Sequence, residues 1–191
     1  EVCMEVHLAK RLVTVDEYHT MAKAGILTRK DKVELIHGEI LEMSPTGKKH
    51  RSTVIRIENN LKKLFGKKAL ISVRNPINIS DLNEPEPDVT ILKKSDDYYH
   101  NRSIKPNDIR LVIEVSDTTY HIDKEIKLPL YASAGILEYW IVNLQKSEIE
   151  VHRFPEGEVY KRIQIAQHGD LIELSFCQKS IKVDDLLGKL F

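Results

Sequence analysis

The chain carries only two cysteines, Cys3 and Cys177, too few for a disulfide scaffold or a CxxC metal knuckle. A reducing cytoplasm is therefore the expected compartment. No apolar run approaches the length of a membrane span. The opening residues, Glu1-Val2-Cys3-Met4, lack the basic end and long apolar stretch of a secretory signal. An excess of one charge is missing too: Lys plus Arg, 29, equals Asp plus Glu, 29. A strongly basic chain would point to nucleic acid directly; this one does not. Local patches exist, Lys48-Lys49-His50-Arg51 and Lys62-Lys63 with Lys67-Lys68. They fit solvated helix ends and faces more readily than phosphate contacts. Internal repeats, linkers and low-complexity segments are absent. What remains, 191 residues of which 41% are hydrophobic and 30% charged, is enough to bury a proper core and predicts a single domain over residues 1–191.

The informative stretch runs from Leu111 to Trp140, LVIEVSDTTYHIDKEIKLPLYASAGILEYW. Leu111-Val112-Ile113 and Val115 form a short apolar run that reads as a strand buried on both faces. Glu114 interrupts it. A charge inside such a strand is costly unless it is paired or binds a metal, so Glu114 needs a partner. Downstream, Asp123, Lys127 and Tyr131 recur every fourth residue, along one face of a helix. Upstream, Pro87-Asp88 opens a second apolar run, Val89 to Leu92.

The rest of the chain is punctuated clearly. Thr14-Val15-Asp16-Glu17 is a capping box that predicts a helix over residues 15–24 before Gly25. Two alternating runs, 32–36 and 39–43, flank His37-Gly38 as a tight hairpin. Apolar residues keep a helical period from His50 to Phe65, with Gly66 beyond. Strands are expected at 69–73, 77–79 and 88–92, with exposed loops at 80–86 and 93–109. A helix should run from the capping residues Ser116 to Thr119 as far as Ala134, kinked near Glu125 by Pro129. Leu137 to Val142 reads as a further buried strand, joined to the first by a crossover into parallel pairing. Its Tyr139-Trp140 pair fits core better than base stacking. A hairpin at 148–154 and 159–166 and a short helix at 183–187 complete the chain.

Each candidate residue has a bland alternative. Asp88 after a proline also fits a strand beginning at a turn, and Lys127 alone fits a solvated helix lysine paired with Asp123. Together they make chemical sense. Magnesium takes oxygen ligands, commonly one or two protein carboxylates with waters and phosphates. Asp88 and Glu114 would hold such an ion, with Lys127 neutralising developing charge or positioning a nucleophile.

This pattern resembles the PD-(D/E)xK nuclease superfamily, and within it the restriction endonucleases of the Uma-two type. The matching residues are Val33 to Glu39, Met43-Ser44-Pro45, His50, Pro87-Asp88-Val89, Ile113 to Ser116, Asp123, Lys127, Tyr131-Ala132, Gly135 and Glu138-Tyr139-Trp140, a core of about residues 12–154. The resemblance implies an α/β (α+β mixed) restriction-endonuclease-like fold: a mixed central β-sheet flanked by α-helices, with additional β-hairpins. It further implies Mg2+ (or Mn2+) at Asp88 and Glu114, nucleic acid, DNA above all, as partner, and a homodimer, since cutting two strands takes two sites. One departure stands out. The superfamily places a lysine two residues after the glutamate, where this chain has Ser116. The resemblance puts the migrated lysine at Lys127, with Lys124 second. Glu34 or Glu39 is a further candidate acid, or an exposed hairpin residue. His50 is a candidate phosphate or water contact, or merely a neighbour of a helix cap. A nuclease fold that binds nucleic acid or protein without cutting is the alternative function.

Overall fold

The computed structural model of the chain describes residues 10–28 and 30–188. Cys3 and the opening residues weighed as a signal lie outside the described residues. The chain divides into two compact units, one holding the residues up to Met43 together with Ile79–Pro85, the other holding Ser44–Asn78 and everything from Glu86 onward.

In the first unit, α1 (Val15–Lys23) starts where the sequence places it. Thr14 and Glu17 form the reciprocal capping box, which satisfies two otherwise orphaned backbone donors. The hairpin β1 (Val33–Ile36) and β2 (Glu39–Glu42) turns at His37-Gly38, both with positive φ, 53° and 71°. That is the backbone twist a two-residue hairpin turn requires. A side chain at position 38 would also meet the Leu12 Cβ at 2.6 Å, so only glycine fits. The segment expected as an exposed loop, 80–86, departs from that expectation. Asn83, Glu84 and Pro85 are buried. Glu84 bridges Leu35 at the edge of β1 and meets the ring of His19 at 2.5 Å. The edge of a two-stranded hairpin offers unpaired backbone groups, and this connection uses them.

The second unit is built on a six-stranded sheet in the order β3-β4-β5-β6-β7-β8. The strands are β3 (Leu70–Val73), β4 (Val89–Leu92), β5 (Ile109–Ser116), β6 (Glu138–Asn143), β7 (Glu148–Glu156) and β8 (Val159–Ala166). Only β5 and β6 run parallel; every other neighbouring pair is antiparallel. Residues 77–79, expected as a strand, join no ladder of the sheet, although Ile77 is fully buried. A small hairpin, β9 (Leu171–Glu173) with β10 (Ser180–Lys182), lies outside the sequence expectation.

Side chains alternate between the two faces of the sheet. One face carries Val89, Ile91, Leu111, Ile113, Val115, Trp140, Val142, Ile149 and Val151, all in one apolar cluster with Val54, Ile57, Leu61 and Phe65 of α2 (Lys48–Phe65). Val183 and Leu186 of α5 (Val183–Leu187) close the same cluster. The opposite face meets the segment formed by α3 (Tyr120–Ile122), a π-helical turn (Asp123–Lys127) and α4 (Leu128–Ser133). The kink expected from Pro129 takes the form of this widened turn, in which the Leu128 N–H reaches the Asp123 carbonyl five residues back. Proline lacks a donor and its ring crowds the preceding turn. Adding a residue to that turn relieves the conflict without a sharp break.

Candidate active site

Asp88 directly precedes β4. The Val89–Ile113 pairing places it opposite Glu114 of β5, so the two carboxylates sit side by side on the face toward α3 and α4. Each holds the other's strand: the Asp88 N–H donates to Glu114 Oε2 at 3.2 Å, and the Val115 N–H donates to Asp88 Oδ2 at 3.0 Å. Both are buried, at 9% and 3% exposure.

Their surroundings are cationic or hydrogen-bond donating. Lys127 Nζ donates to Glu114 Oε1 at 3.1 Å, and the Tyr131 hydroxyl donates to the same oxygen at 2.9 Å. The every-fourth-residue face read from the sequence therefore points inward, with Asp123, Lys127 and Tyr131 all buried. His50, in the first turn of α2, bonds Asp88 Oδ2 through Nε2 at 2.9 Å, while its Nδ1 is buried with no hydrogen-bond partner. Arg74, just beyond β3, brings its guanidinium to Asp88 Oδ1 at 3.4 Å.

Asp123 is held beside this group. The hydroxyls of Ser116 and Thr119 donate to its Oδ2 at 2.6 and 3.1 Å, and Tyr139 donates to its main-chain carbonyl at 3.0 Å. Burial raises the Asp123 carboxyl above the usual carboxylate range, against the pull of the Lys127 charge and the Ser116 bond, and the Asp88 charge adds to the rise. Burial also lifts the Tyr139 hydroxyl well above the ordinary tyrosine value, so it stays a donor. Ser116 thus serves Asp123.

Lys124 goes elsewhere. It pairs with Glu150 of β7, which also accepts the Tyr120 hydroxyl and lies 2.9 Å from His152 Nε2. Burial alone would raise Glu150, but the bonds from His152, Lys124 and Tyr120 outweigh it and hold the carboxyl at about 2. Burial and the Glu150 contact push the Tyr120 hydroxyl up to about 12. Glu34 and Glu39 belong to the first unit, Glu34 buried in β1 and Glu39 exposed in β2 with Lys10 at 2.9 Å.

Three features escaped the sequence. Arg74 follows an unremarkable strand, and no spacing links it to Asp88. Glu150 and His152 alternate on a strand, a pattern that reads as solvent-facing. Glu138, fully buried, is satisfied by Arg153, by Trp140 Nε1 at 2.8 Å and by the Ser175 N–H at 2.9 Å.

The donor set suits a hard cation that keeps its waters. Among the described residues no group of three or more His, Cys, Asp or Glu is arranged to hold an ion. Two carboxylates fall short of a zinc site, but one or two are what Mg2+ or Mn2+ commonly takes from a protein. Three buried carboxyl groups (Asp88, Glu114, Asp123) lie beside Lys127 and the partly exposed Arg74.

Comparison with known proteins identifies the family and the fold. Residues 15–183 match the Uma2 family, described as "Putative restriction endonuclease". A crystal structure of a putative nuclease belonging to DUF820, from Anabaena variabilis ATCC 29413, superposes with a TM-score of 0.67 at 14% identity. The match covers 92% of this chain and 97% of that one, and at this identity it speaks for the fold. No curated protein matches the chain. Among the described residues no helix is long and apolar enough to cross a membrane.

Proposed function

The chain belongs to the Uma2 family, and from that premise we propose that it is a metal-dependent endonuclease hydrolysing phosphodiester bonds, with DNA as substrate. The observation that carries this reading is the pairing of Asp88 with Glu114 in one buried row, with Lys127 bonded to Glu114. Asp88 and Glu114 would hold Mg2+ or Mn2+, which supplies positive charge at a phosphate. Lys127 assists as the migrated lysine: a fixed ammonium beside Glu114 offsets negative charge that develops there. Tyr131 orients Glu114 through the oxygen it shares with Lys127, and His50 orients Asp88 through Oδ2. Asp123, held by Ser116 and Thr119, adds an acidic neighbour to Lys127. Cutting both strands of a duplex needs two such sites, which supports a homodimer as the working form.

Calorimetric titration of Mn2+ into the wild type, Asp88→Asn and Glu114→Gln, with and without a DNA duplex, tests this. Wild-type uptake that either substitution abolishes is the expected result, together with duplex cleavage in Mg2+ that the same substitutions reduce at least about a hundredfold. A folded wild type that takes up no Mn2+ even beside DNA overturns the enzyme. Retained duplex binding in that case would leave a nuclease fold that binds without cutting.

A further inference from the structure

Arg74 is an unusual residue for its position. Its backbone is left-handed, φ 51°, a conformation that costs a non-glycine residue on the order of 1 kcal/mol. Its N–H points at the carbonyls of Pro87 (3.2 Å) and Asp88 (3.3 Å), which fixes the residue beside the candidate metal ligand. Yet its ion pair with Asp88 is weak. Nε and Nη2 both lie 3.4 Å from the single oxygen Asp88 Oδ1. A well-made guanidinium–carboxylate pair uses both oxygens at about 2.7–2.9 Å. The arginine side chain is 38% exposed while that of Asp88 is 12% exposed. The guanidinium is thus more open to solvent than the carboxylate it adjoins, and among the described residues the contacts shown for its fork are the two long ones to Asp88.

We infer that Arg74 is a phosphate-binding residue of this site, the group that a phosphodiester of the substrate meets first. The inference rests on the endonuclease reading above and adds a residue and a role to it. The planar fork of arginine matches two phosphate oxygens, and a strained backbone that aims it past Asp88 has a purpose if the fork serves the substrate. Arg74 and a divalent ion held by Asp88 would compete for the same carboxylate, so binding of the ion would favour a guanidinium turned to the phosphate. Arg74 would then link metal uptake to substrate binding.

Arg74→Gln and Arg74→Lys separate this role from a purely structural one. Two quantities are measured: Mn2+ affinity by calorimetry without nucleic acid, and affinity for a fluorescent DNA duplex in Ca2+ across a salt series. Arg74→Gln should bind Mn2+ about three- to tenfold more tightly, because a like charge beside the ion is gone. It should bind duplex about ten- to hundredfold more weakly, and its salt slope should fall by about one. Arg74→Lys keeps the charge but not the fork; its salt slope should match wild type while duplex affinity drops about tenfold. Thermal melts establish that each variant is folded, and if Arg74→Gln is not, Arg74→Lys carries the test alone. Mn2+ uptake by wild type with duplex affinity unchanged in the folded variants overturns the role of Arg74 and leaves the enzyme reading standing. No Mn2+ uptake by wild type, with or without duplex, overturns both.

Discussion

The two faces of the six-stranded sheet solve opposite problems with the same strands. Toward α2 and α5, Val89, Ile113, Val115, Trp140 and Val151 pack as one apolar cluster. Toward α3 and α4, the same strands present Glu114, Ser116, Tyr139, Glu150 and His152, every one buried. The first face obtains its stability from area removed from water. The second buries ionisable groups whose desolvation offsets what their pairing returns. The first face also buries an ion pair, Glu138 with Arg153, but the second gathers Asp88, Glu114, Asp123 and Lys127, and it carries the proposed site.

The sharpest way to break this contrast is to remove one ion partner. Glu114→Ala leaves Lys127 buried without its carboxylate and should cost about 3–5 kcal/mol. The double variant Glu114→Leu, Lys127→Met should recover part of that loss, because no charge is left unpaired, but not all of it, because the Asp88 N–H and the Tyr131 hydroxyl lose their acceptor; it should bind no Mn2+. A double variant as unstable as the single one would mean that the ion pair is kept for folding. On the apolar face, Leu61→Ala in α2 should cost about 2–5 kcal/mol by urea denaturation and leave Mn2+ affinity within about twofold of wild type. Metal affinity that fell with it would tie the two faces together.

A smaller effect sharpens the contrast through pH. Glu150 is held at about 2 against an ordinary value of 4.5, so the folded state binds fewer protons than the unfolded one between those values. Its stabilising contribution is complete above about pH 4.5 and is lost as pH falls toward 2. Tyr120 runs the other way. Its pKa is raised from 10 to about 12, so its contribution is present below pH 10 and is lost as pH rises toward 12. Melting temperature against pH should fall on both flanks; Glu150→Gln should flatten the acid flank and lessen the alkaline one only in part, because burial is the larger cause of the Tyr120 shift and the Glu150 contact the smaller. An unchanged acid flank would assign the loss to other carboxylates.

The contrast also explains how much the sequence disclosed. Helix starts and turns were legible, because a capping box at Thr14, a His-Gly turn and a helix-ending Gly66 act over a few residues. So was the buried strand around Glu114, since a lone carboxylate in an apolar run has few physical excuses. The 3.6-residue period brought Asp123, Lys127 and Tyr131 to one face, and the structure puts all three inside. Lys127 and Tyr131 both bond Glu114, while Lys124, three residues earlier, pairs with Glu150. The segment 80–86 misled because acidic and amide residues with prolines read as solvent-exposed, whereas Glu84 is taken into a strand edge. Residues 77–79 misled because an apolar alternation signals burial as readily as pairing.

By itself, then, the sequence determined the local elements, the apolar face and the suspicion that falls on Asp88, Glu114 and Lys127. Each depends on chain-local physics: backbone preference, periodicity and the penalty for a charge among apolar neighbours. Only the tertiary structure decided which groups meet. His50 comes from α2, Arg74 from just beyond β3 and Asp88 from just before β4, and Glu150 finds Lys124 across 26 residues. Such contacts are fixed by strand order and register, and by one widened helical turn. A linear pattern cannot carry that information, because the distances that decide it run across the sheet.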